Sequence, residues 1–336
     1  MAPKVDVDEY RGVWVFAEQT EGQPARVSLE LLGKGRELAD KLDVELSALL
    51  VGAAVGDLAK ELIFYGADKV IVADDPILKD YRTDLYTDII AEQVIERKPE
   101  VLIVGASPIG RDLAPRLSFR LNAGCTADCT GLDIDQENRL FVSTRPAFGG
   151  NVMATIICPE NRPQMSTVRP GVMPLPEKDE TRDGHIINLD VHLNKEDVQV
   201  KILQSVKAKS DGVRIEEAQR IVAIGMGAGD TEAFEMIKEL AELLDAEVGA
   251  SRLAVEAGYI SHDCQIGQTG KTVSPDLYIG CGISGAVQHT AGMSGSKVII
   301  AINKDPKAEI FNIADYGIVG KVEEVIPALI SELKGG

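Results

Sequence analysis

Four turns in the last third of the chain constrain its fold most, because each one directly follows a short apolar run. The runs are residues 221–224, 246–249, 277–282 and 298–302, and the turns begin at Gly225, Ala250, Ile283 and Asn303. Short apolar runs that end at turn residues are typical of buried parallel strands. The carboxyl ends of such strands share one edge of an open sheet, where ligands bind. The sequence therefore predicts a groove at this edge, long enough for a dinucleotide.

The first 120 residues show a similar alternation of apolar runs and amphipathic stretches. We predict strands at 13–16, 46–51, 69–72 and 101–104, and helices at 28–41, 56–65, 84–97 and 111–121. Strand–helix alternation of this kind predicts a doubly wound parallel sheet. Residues 125–176 break into Gly- and Pro-rich pieces, which we interpret as an antiparallel extension of the same domain.

A polar turn at residues 207–212 separates two strand–helix series. A last strand of the first series is predicted at 198–207; the second series adds helices at 231–244, 286–293 and 323–333 and a strand at 316–319. Domain boundaries fall in polar linkers. The predicted fold class is therefore α/β in two domains, 1–208 and 209–336, with residues 207–212 as a candidate hinge.

Composition restricts the partners that this chain can bind. The formal charge of −18 argues against nucleic acid, which needs clustered Lys and Arg, and against an anionic membrane surface. No run approaches 18 apolar residues, so we expect no membrane insertion, and the acidic start lacks the apolar core of a signal peptide. Five irregularly spaced cysteines predict reduced thiols and a cytoplasmic protein. Cys125 and Cys129 lack a second ligand pair, so no metal is predicted.

Two glycine motifs are less specific than they first look. The G-x-G-x-G turn at 225–229 could admit a phosphate at a helix N-terminus, but it is one residue short of the dinucleotide spacing, and a tight packing turn is an equal alternative. Residues 265–272 (QIGQTGKT) resemble a P-loop, yet Gln265 replaces its first glycine and Pro275 blocks a long following helix. We therefore reject nucleoside triphosphate hydrolysis.

The segment from Ser284 to His289 is the strongest local motif. Small residues at the end of a predicted strand leave backbone N–H groups free for an anion, and His289 follows within one helical turn. A single histidine is usually structural, but polar companions favour a ligand; they are Ser251, Arg252, Thr269 and Gln288. Residues 104–112 could hold a phosphate or could be a capped helix that meets a partner, and both alternatives stay open. No nucleophile–base pair or carboxylate pair is convincing.

In this order, the motifs resemble the α subunit of electron-transfer flavoproteins. The matching segments are residues 249–252 (GASR), 265–271 (QIGQTGK), 277–292 (LYIGCGISGAVQHTAG), 301–306 (AINKDP) and 314–319 (ADYGIV), and the resemblance continues upstream through 105–116. It implies a nucleotide α-hydrolase-like N-terminal domain that contacts a β subunit, and a C-terminal FAD-binding domain. It also implies that this chain forms a heterodimer with the β subunit and does not turn over a substrate by itself. Whether the chain counts as an enzyme therefore stays open.

The resemblance also assigns roles to single residues. It implies that Arg252 lies against the flavin ring beside Ser251. The Thr269 hydroxyl would reach the N5 edge with Gln268 adjacent, and His289 would face the pyrimidine carbonyl side. The other implied FAD contacts are Ile266 and Gly267, then Ser284, Gly285, Ala286, Val287 and Gln288 at the pyrophosphate and ribityl chain, and Asn303, Lys321 and Val322 at the adenosine.

Three of these residues are expected to tune the flavin. A reduced flavin is anionic near its pyrimidine carbonyl, so a nearby cation stabilises it. Arg252 is permanently charged, whereas His289 is expected to change charge near neutral pH, and Thr269 meets the N5 edge. Many family members carry Arg where this chain has Met226, so the first glycine turn is expected to hold its part of FAD more weakly.

A further segment suggests a subfamily. Residues 145–151 (RPAFGGN) resemble the version found in bifurcating anaerobes. In that type the β subunit holds a second FAD in place of AMP and takes hydride from NADH. Electrons then go to ferredoxin or flavodoxin and to an acyl-CoA dehydrogenase. Our hypothesis is that Arg145 reaches towards this second flavin; an ion pair with an acidic residue at the interface is an equal alternative.

Two other functions remain as alternatives. The first is a simple shuttle that carries electrons from the acyl-CoA dehydrogenases of fatty acid β-oxidation to a membrane quinone reductase. The second is an NAD-using enzyme on a similar fold, against which stands the lack of a nucleophile–base pair near the turns. The number of bound flavins separates all three.

Overall fold

The computed structural model describes residues 6–20, 22–147, 152–191, 215–229 and 231–335. The chain divides into two compact units, Met1–Val206 and Lys207–Gly336. Each unit is built on a parallel sheet with helices, which confirms the predicted α/β fold class. The predicted strand at 198–207, the boundary near 208 and the candidate hinge at 207–212 lie outside the described residues.

The first unit contains twelve strands and four α-helices among its described residues. Its strands are β1 (Val13–Ala17), β2 (Gln19–Thr20), β3 (Gln23–Pro24), β4 (Leu46–Gly52), β5 (Lys69–Asp74), β6 (Val101–Gly105), β7 (Cys125–Cys129), β8 (Gly131–Asp135), β9 (Leu140–Ala147), β10 (Val152–Ile156), β11 (Gln164–Val168) and β12 (His185–Asn188). Its helices are α1 (Arg26–Leu42), α2 (Leu58–Phe64), α3 (Thr83–Arg97) and α4 (Pro108–Arg120). The strands and helices predicted for residues 13–121 all form, with shifts of a few residues at their ends.

The main sheet of this unit has the order β12-β5-β4-β1-β6-β11-β7, and all its strand pairs are parallel. Apolar clusters cover both faces, so the central strands are buried along their whole length. Two-sided burial explains why these strands appear as continuous apolar runs. The order of strands along the chain reverses between β1 and β6.

The prediction of an antiparallel extension at 125–176 is correct for only part of that segment. Strands β8, β9 and β10 form a three-stranded antiparallel sheet. Strands β7 and β11, however, join the main sheet in parallel, and for them the prediction is wrong. All five residues of β11 are buried between β6 and β7, a tertiary environment that the surrounding Gly and Pro residues do not reveal.

The start of α4 bears on the alternatives left open for residues 104–112. The Ser107 hydroxyl accepts a hydrogen bond from the Gly110 amide at 3.0 Å and donates one to the Glu18 carboxylate. Burial raises the pKa of Glu18, and the bond from Ser107 offsets part of that rise. Because a carboxylate already stands at this helix start, the structure favours a capped helix over a phosphate site.

The second unit is a five-stranded sheet flanked by helices. Its elements are β13 (Arg220–Ile224), α5 (Thr231–Leu243), β14 (Glu247–Ala250), α6 (Arg252–Glu256), β15 (Leu277–Cys281), α7 (Val287–Thr290), β16 (Val298–Asn303), β17 (Tyr316–Val319) and α8 (Val322–Gly335). The strand order is β14-β13-β15-β16-β17, parallel throughout. The predicted elements all form, although α7 is a single turn and shorter than predicted.

Alternate residues of these strands pack into two apolar layers, one on each face of the sheet. Val222 and Ile224 belong to the layer that α5 and α8 cover, while Ile221 and Ala223 belong to a layer with Tyr278. The loops around Ile266, Met293 and Ile310 cover this second layer, in place of long helices. The arrangement brings the loop at 265–273 and the short α7 onto one face of the sheet, beside its carboxyl edge.

Candidate functional site

A cavity of about 590 Å³ lies at the carboxyl edge of the second sheet. Each of the four turns identified in the sequence contributes to its wall, through Gly225, Ser251, Ser284 and Asn303 among others. The sequence-predicted residues that line it are Ser251, Arg252, Ile266, Gly267, Thr269, Ser284, Ala286, Gln288, His289 and Asn303. A single concave site therefore gathers predicted FAD contacts that are up to 52 positions apart in sequence, from Ser251 to Asn303.

Five predicted contacts do not line this cavity: Gln268, Gly285, Val287, Lys321 and Val322. The backbone N–H of Gln268 donates to the backbone carbonyl of Gln288 at 2.7 Å. Val322 is buried at the start of α8. Lys321 is exposed and lies 3.6 Å from the Glu324 carboxylate. These five stay predictions without a position in the cavity wall.

The first glycine turn packs tightly against the neighbouring strand. The Gly225 amide donates to the Cys281 carbonyl at 2.8 Å, and the Gly227 amide donates to the Gly282 carbonyl at 2.9 Å. A Cβ at Gly225 would stand 2.3 Å from the Gly282 oxygen. Close backbone packing therefore explains these glycines, while the turn still lines the cavity. Met226, which lines it too, is 44% exposed.

The loop that resembles a P-loop is a closed turn supported by its own backbone. The Lys271 amide donates to the Gln265 carbonyl at 2.7 Å, and the Gly267 amide donates to the Lys271 carbonyl at 3.1 Å. The Gln265 side-chain amide donates to the Thr269 hydroxyl at 3.2 Å. Because that hydroxyl already accepts a hydrogen bond, its own proton remains available for an acceptor in the cavity.

His289 lies in the cavity wall but is largely buried, at 7% exposure. Its Nε2 is 2.7 Å from the hydroxyl of Tyr278, and its buried Nδ1 has no hydrogen-bond partner of normal geometry among the described residues. Burial lowers the pKa of His289 to about 4, and a backbone hydrogen bond with Ile266 opposes part of this fall. The ring is therefore neutral at pH 7, which differs from the expectation that it changes charge near neutral pH. Desolvation of the charged form is the reason.

Arg252 supplies a cation at the rim of the cavity. It is the first residue of α6, its side chain is 67% exposed, and its Nε donates to the Glu256 carboxylate at 2.7 Å. An exposed pair of this kind contributes little to stability, so the guanidinium is free to reorient towards a ligand at little cost. The expected pair of positive groups thus reduces to one cation, Arg252, and one neutral donor, His289.

Asn303 is held rigidly at the end of β16. Its side-chain amide donates to the Ile283 carbonyl at 2.8 Å, and its carbonyl oxygen accepts from the Asp305 amide at 3.0 Å. Both bonds fix the shape of the adjoining turns. Side chains beyond this point, Lys307 and Glu309, also line the cavity, and the sequence did not identify them.

Arg145 belongs to the first unit and lies on β9, opposite Ala154 of β10. It is partly buried, and its Nε has no hydrogen-bond partner. Among the described residues, no carboxylate lies within ion-pair distance of it. A separate cavity of about 670 Å³ in this unit, beside Phe119 and Asp128, is lined by none of the predicted FAD contacts, although Arg111 of the 104–112 segment lines it.

The residues of the 590 Å³ cavity suit a flavin dinucleotide. Apolar Ile266 and Ile283 offer surface to a ring, and the side chains of Thr269, Gln288 and His289 offer polar groups along one wall. The buried Nδ1 of His289, which has no partner of normal geometry among the described residues, fits an acceptor on such a ligand, because buried polar atoms are normally hydrogen-bonded.

The described residues contain neither a metal-binding cluster nor a membrane-spanning helix. No group of three or more His, Cys, Asp or Glu residues in the described part of the chain could hold a metal ion. None of the described helices is long and apolar enough to cross a bilayer.

Comparison with known proteins points to one family. Residues 13–194 match the electron transfer flavoprotein domain, and residues 214–294 match the electron transfer flavoprotein FAD-binding domain. The electron transfer flavoprotein subunit alpha of Thermoanaerobacterium thermosaccharolyticum is 56% identical over 328 residues, 98% of this chain and 99% of that protein. The protein of the same name from Megasphaera elsdenii is 51% identical over 98% of both chains. The acryloyl-CoA reductase electron transfer subunit beta of Anaerotignum propionicum is 44% identical, again over 98% of both.

Proposed function

This chain belongs to the α-subunit family of electron transfer flavoproteins, and on that basis we propose that it holds one FAD in its C-terminal domain and passes single electrons to or from an acyl-CoA dehydrogenase. The observation that carries the proposal is the cavity of about 590 Å³, whose wall includes His289 with a buried Nδ1 that has no partner of normal geometry among the described residues. A relative that is named as an electron transfer subunit of acryloyl-CoA reductase supports an acyl-CoA oxidoreductase as partner. The family normally pairs with a β subunit, which makes this chain one half of a heterodimer.

FAD, when bound, supplies reversible one- and two-electron chemistry. The chain itself positions and tunes it. We propose that Arg252 places its positive charge against the electron-rich edge of the ring. The Thr269 hydroxyl, which accepts from Gln265, donates to the ring edge, and His289 donates from Nδ1 as a neutral group.

Domain roles form a second part of the proposal. We assign residues 1–208 to contact with the β subunit and residues 209–336 to FAD, with 207–212 as the hinge. The two family matches, 13–194 and 214–294, leave the proposed boundary between them, which supports this division. The five free cysteines agree with the proposed cytoplasmic location.

The test of the flavin site is substitution of Arg252 in the purified heterodimer. Because this side chain is largely exposed, we expect its charge to contribute about 1 kcal/mol to the reduced state, or roughly 40 mV for one electron. Arg252→Gln should therefore lower the flavin midpoint potential by that amount, and Arg252→Lys should restore most of it. A heterodimer without bound flavin, or an unchanged potential in Arg252→Gln, would contradict the proposal.

We further propose the bifurcating mode, with a second FAD in the β subunit, NADH as hydride donor, and ferredoxin or flavodoxin as the low-potential acceptor. Arg145 supports it, because no described residue of this chain neutralises that guanidinium and its Nε lacks a partner. Its proposed partner is the second flavin.

Flavin counting separates this mode from its alternatives. About two FAD per heterodimer agree with bifurcation, whereas about one FAD with AMP in the β subunit indicates a shuttle from β-oxidation dehydrogenases to a quinone reductase. Colourless protein that retains NAD would indicate an NAD-using enzyme. Arg145→Ala should abolish most NADH-dependent ferredoxin reduction, with Arg145→Lys as the control that keeps the charge. Unchanged reduction in Arg145→Ala removes the role given to Arg145.

A further inference from the structure

We infer that Tyr278 is a positioning residue of the flavin site: its hydroxyl holds His289 in the tautomer that carries its proton on Nδ1, and so presents a hydrogen-bond donor to the cofactor. The identity of the ligand rests on the proposed function. The tautomer itself is a property of this chain alone.

The contact between the two side chains is short and fully enclosed. The Tyr278 hydroxyl lies 2.7 Å from His289 Nε2, and Tyr278 is completely buried. The two rings are 6.3 Å apart at their centroids and inclined at 54°. The distance is that of a hydrogen bond, and the two rings are tilted and not stacked.

The direction of this hydrogen bond follows from the surroundings of the hydroxyl. Tyr278 lies in β15, inside an apolar layer that includes Ile266, Met293 and Ile310. Among the described residues, the imidazole is the only hydrogen-bond partner of the hydroxyl. If Nε2–H donated, the buried O–H proton would have no acceptor, so we infer that the O–H donates and Nε2 accepts. Burial raises the pKa of Tyr278 well above its usual value, which keeps the hydroxyl protonated.

The position of the imidazole proton follows in turn. A neutral imidazole has one N–H and one lone pair, so a ring that accepts at Nε2 carries its proton on Nδ1. Nδ1 is the buried atom that has no partner of normal geometry in the described chain. The donor is therefore fixed before any ligand arrives, and an acceptor on the ligand satisfies it.

The sequence position of Tyr278 also argues for a specific role. The other residues of β15 are Leu277, Ile279, Gly280 and Cys281, and a phenylalanine would fill the same apolar volume. A hydroxyl in a fully buried layer is unfavourable unless it is hydrogen-bonded. His289 is what satisfies it, so the two side chains act as one unit.

The experiment uses Tyr278→Phe in the full-length chain, purified with its β subunit. With four histidines in this chain, labelling this subunit alone with ¹⁵N-histidine and comparing it with His289→Gln assigns the signals of His289. We expect the flavin-stripped wild type to show protonated Nδ1 and unprotonated Nε2, and Tyr278→Phe to lose this preference. FAD affinity should fall about five-fold, the value of one neutral hydrogen bond. Tyr278→Phe combined with His289→Gln should bind FAD no more weakly than His289→Gln alone.

A matched control is available in the other unit. Tyr86 is also buried, and its hydroxyl lies within 3.3 Å of the carbonyl oxygens of Val51 and Leu78. Tyr86→Phe should change neither the His289 signals nor FAD affinity, which separates loss of the specific contact from general destabilisation.

The result that overturns the inference is a wild-type ring protonated on Nε2, or a Tyr278→Phe variant that keeps either the tautomer or the FAD affinity of the wild type. Failure of the proposed function looks different. In that case the wild-type heterodimer binds no FAD at all, while the tautomer measurement on the flavin-free protein still decides whether Tyr278 sets the proton position.

Discussion

Replacement of Gly282 by alanine should destabilise the second unit severely. Gly282 follows β15 with φ +67°, and a Cβ there would stand 2.1 Å from the Ala228 nitrogen and 2.3 Å from the Gly227 carbonyl carbon. Both are backbone atoms, which cannot move aside as the end of a flexible side chain does. The turn after β13 and the turn after β15 must therefore separate.

A matched variant separates the backbone cost of Gly282→Ala from its steric cost. Gly258 has φ +83° and open space around its Cβ position, so Gly258→Ala carries only the left-handed backbone cost, about 1–2 kcal/mol. Gly282→Ala adds the cost of overpacking, about 1–3 kcal/mol. The sum is about 2–5 kcal/mol, and we expect a total of about 4–5 kcal/mol, at the top of this range, because the colliding atoms are backbone. We also expect loss of FAD binding.

Urea denaturation, followed by tryptophan fluorescence and by circular dichroism, measures the loss in the free energy of unfolding. The only tryptophan, Trp14, lies in β1 of the first unit, so its fluorescence reports that unit, whereas far-UV circular dichroism reports both. Gly282→Ala should shift a circular dichroism transition and leave the fluorescence midpoint in place. Equal free energies of unfolding for Gly282→Ala and Gly258→Ala would refute the steric reasoning.

Three further predictions concern pH, a buried amide and a buried thiol. The pKa of His289 is about 4 in the folded protein and near 6.5 in the unfolded chain, so the unfolded state binds more protons between these pH values. From pH 7 to pH 5 the free energy of unfolding of the wild type, measured by urea denaturation, should therefore fall by about 2 kcal/mol more than that of His289→Gln. Asn303→Ala, which leaves the Ile283 carbonyl unpaired, should cost about 1–3 kcal/mol in the same assay, and a loss below 0.5 kcal/mol (on the order of experimental scatter) would contradict it. Burial raises the pKa of Cys281 to about 12, so a thiol reagent at pH 8 should label it only after unfolding; labelling in native protein would contradict this.

Much of the fold could be predicted because the central strands of both parallel sheets are buried on two faces. Such strands appear in the sequence as continuous apolar runs, as at Val13–Ala17 and Leu277–Cys281, and the turns that follow them must share one edge. The antiparallel prediction for residues 125–176 was wrong for β7 and β11. Their pairing is with β6 and with each other, and nothing local in Gln164–Val168 specifies a parallel neighbour so far away in sequence.

The sequence by itself determined which turns stand at the carboxyl edge of the second sheet, because turn position is local and strand–helix alternation predicts parallel strands. Only the tertiary structure decided the charge and the protonation state of the side chains there. His289 is neutral because burial removes the water that would stabilise its charge. The position of its proton follows, by our inference, from the hydroxyl of Tyr278, a residue that stands within an apolar run of the sequence. Desolvation and hydrogen-bond direction depend on neighbours brought together by folding, so no pattern along the chain contains them.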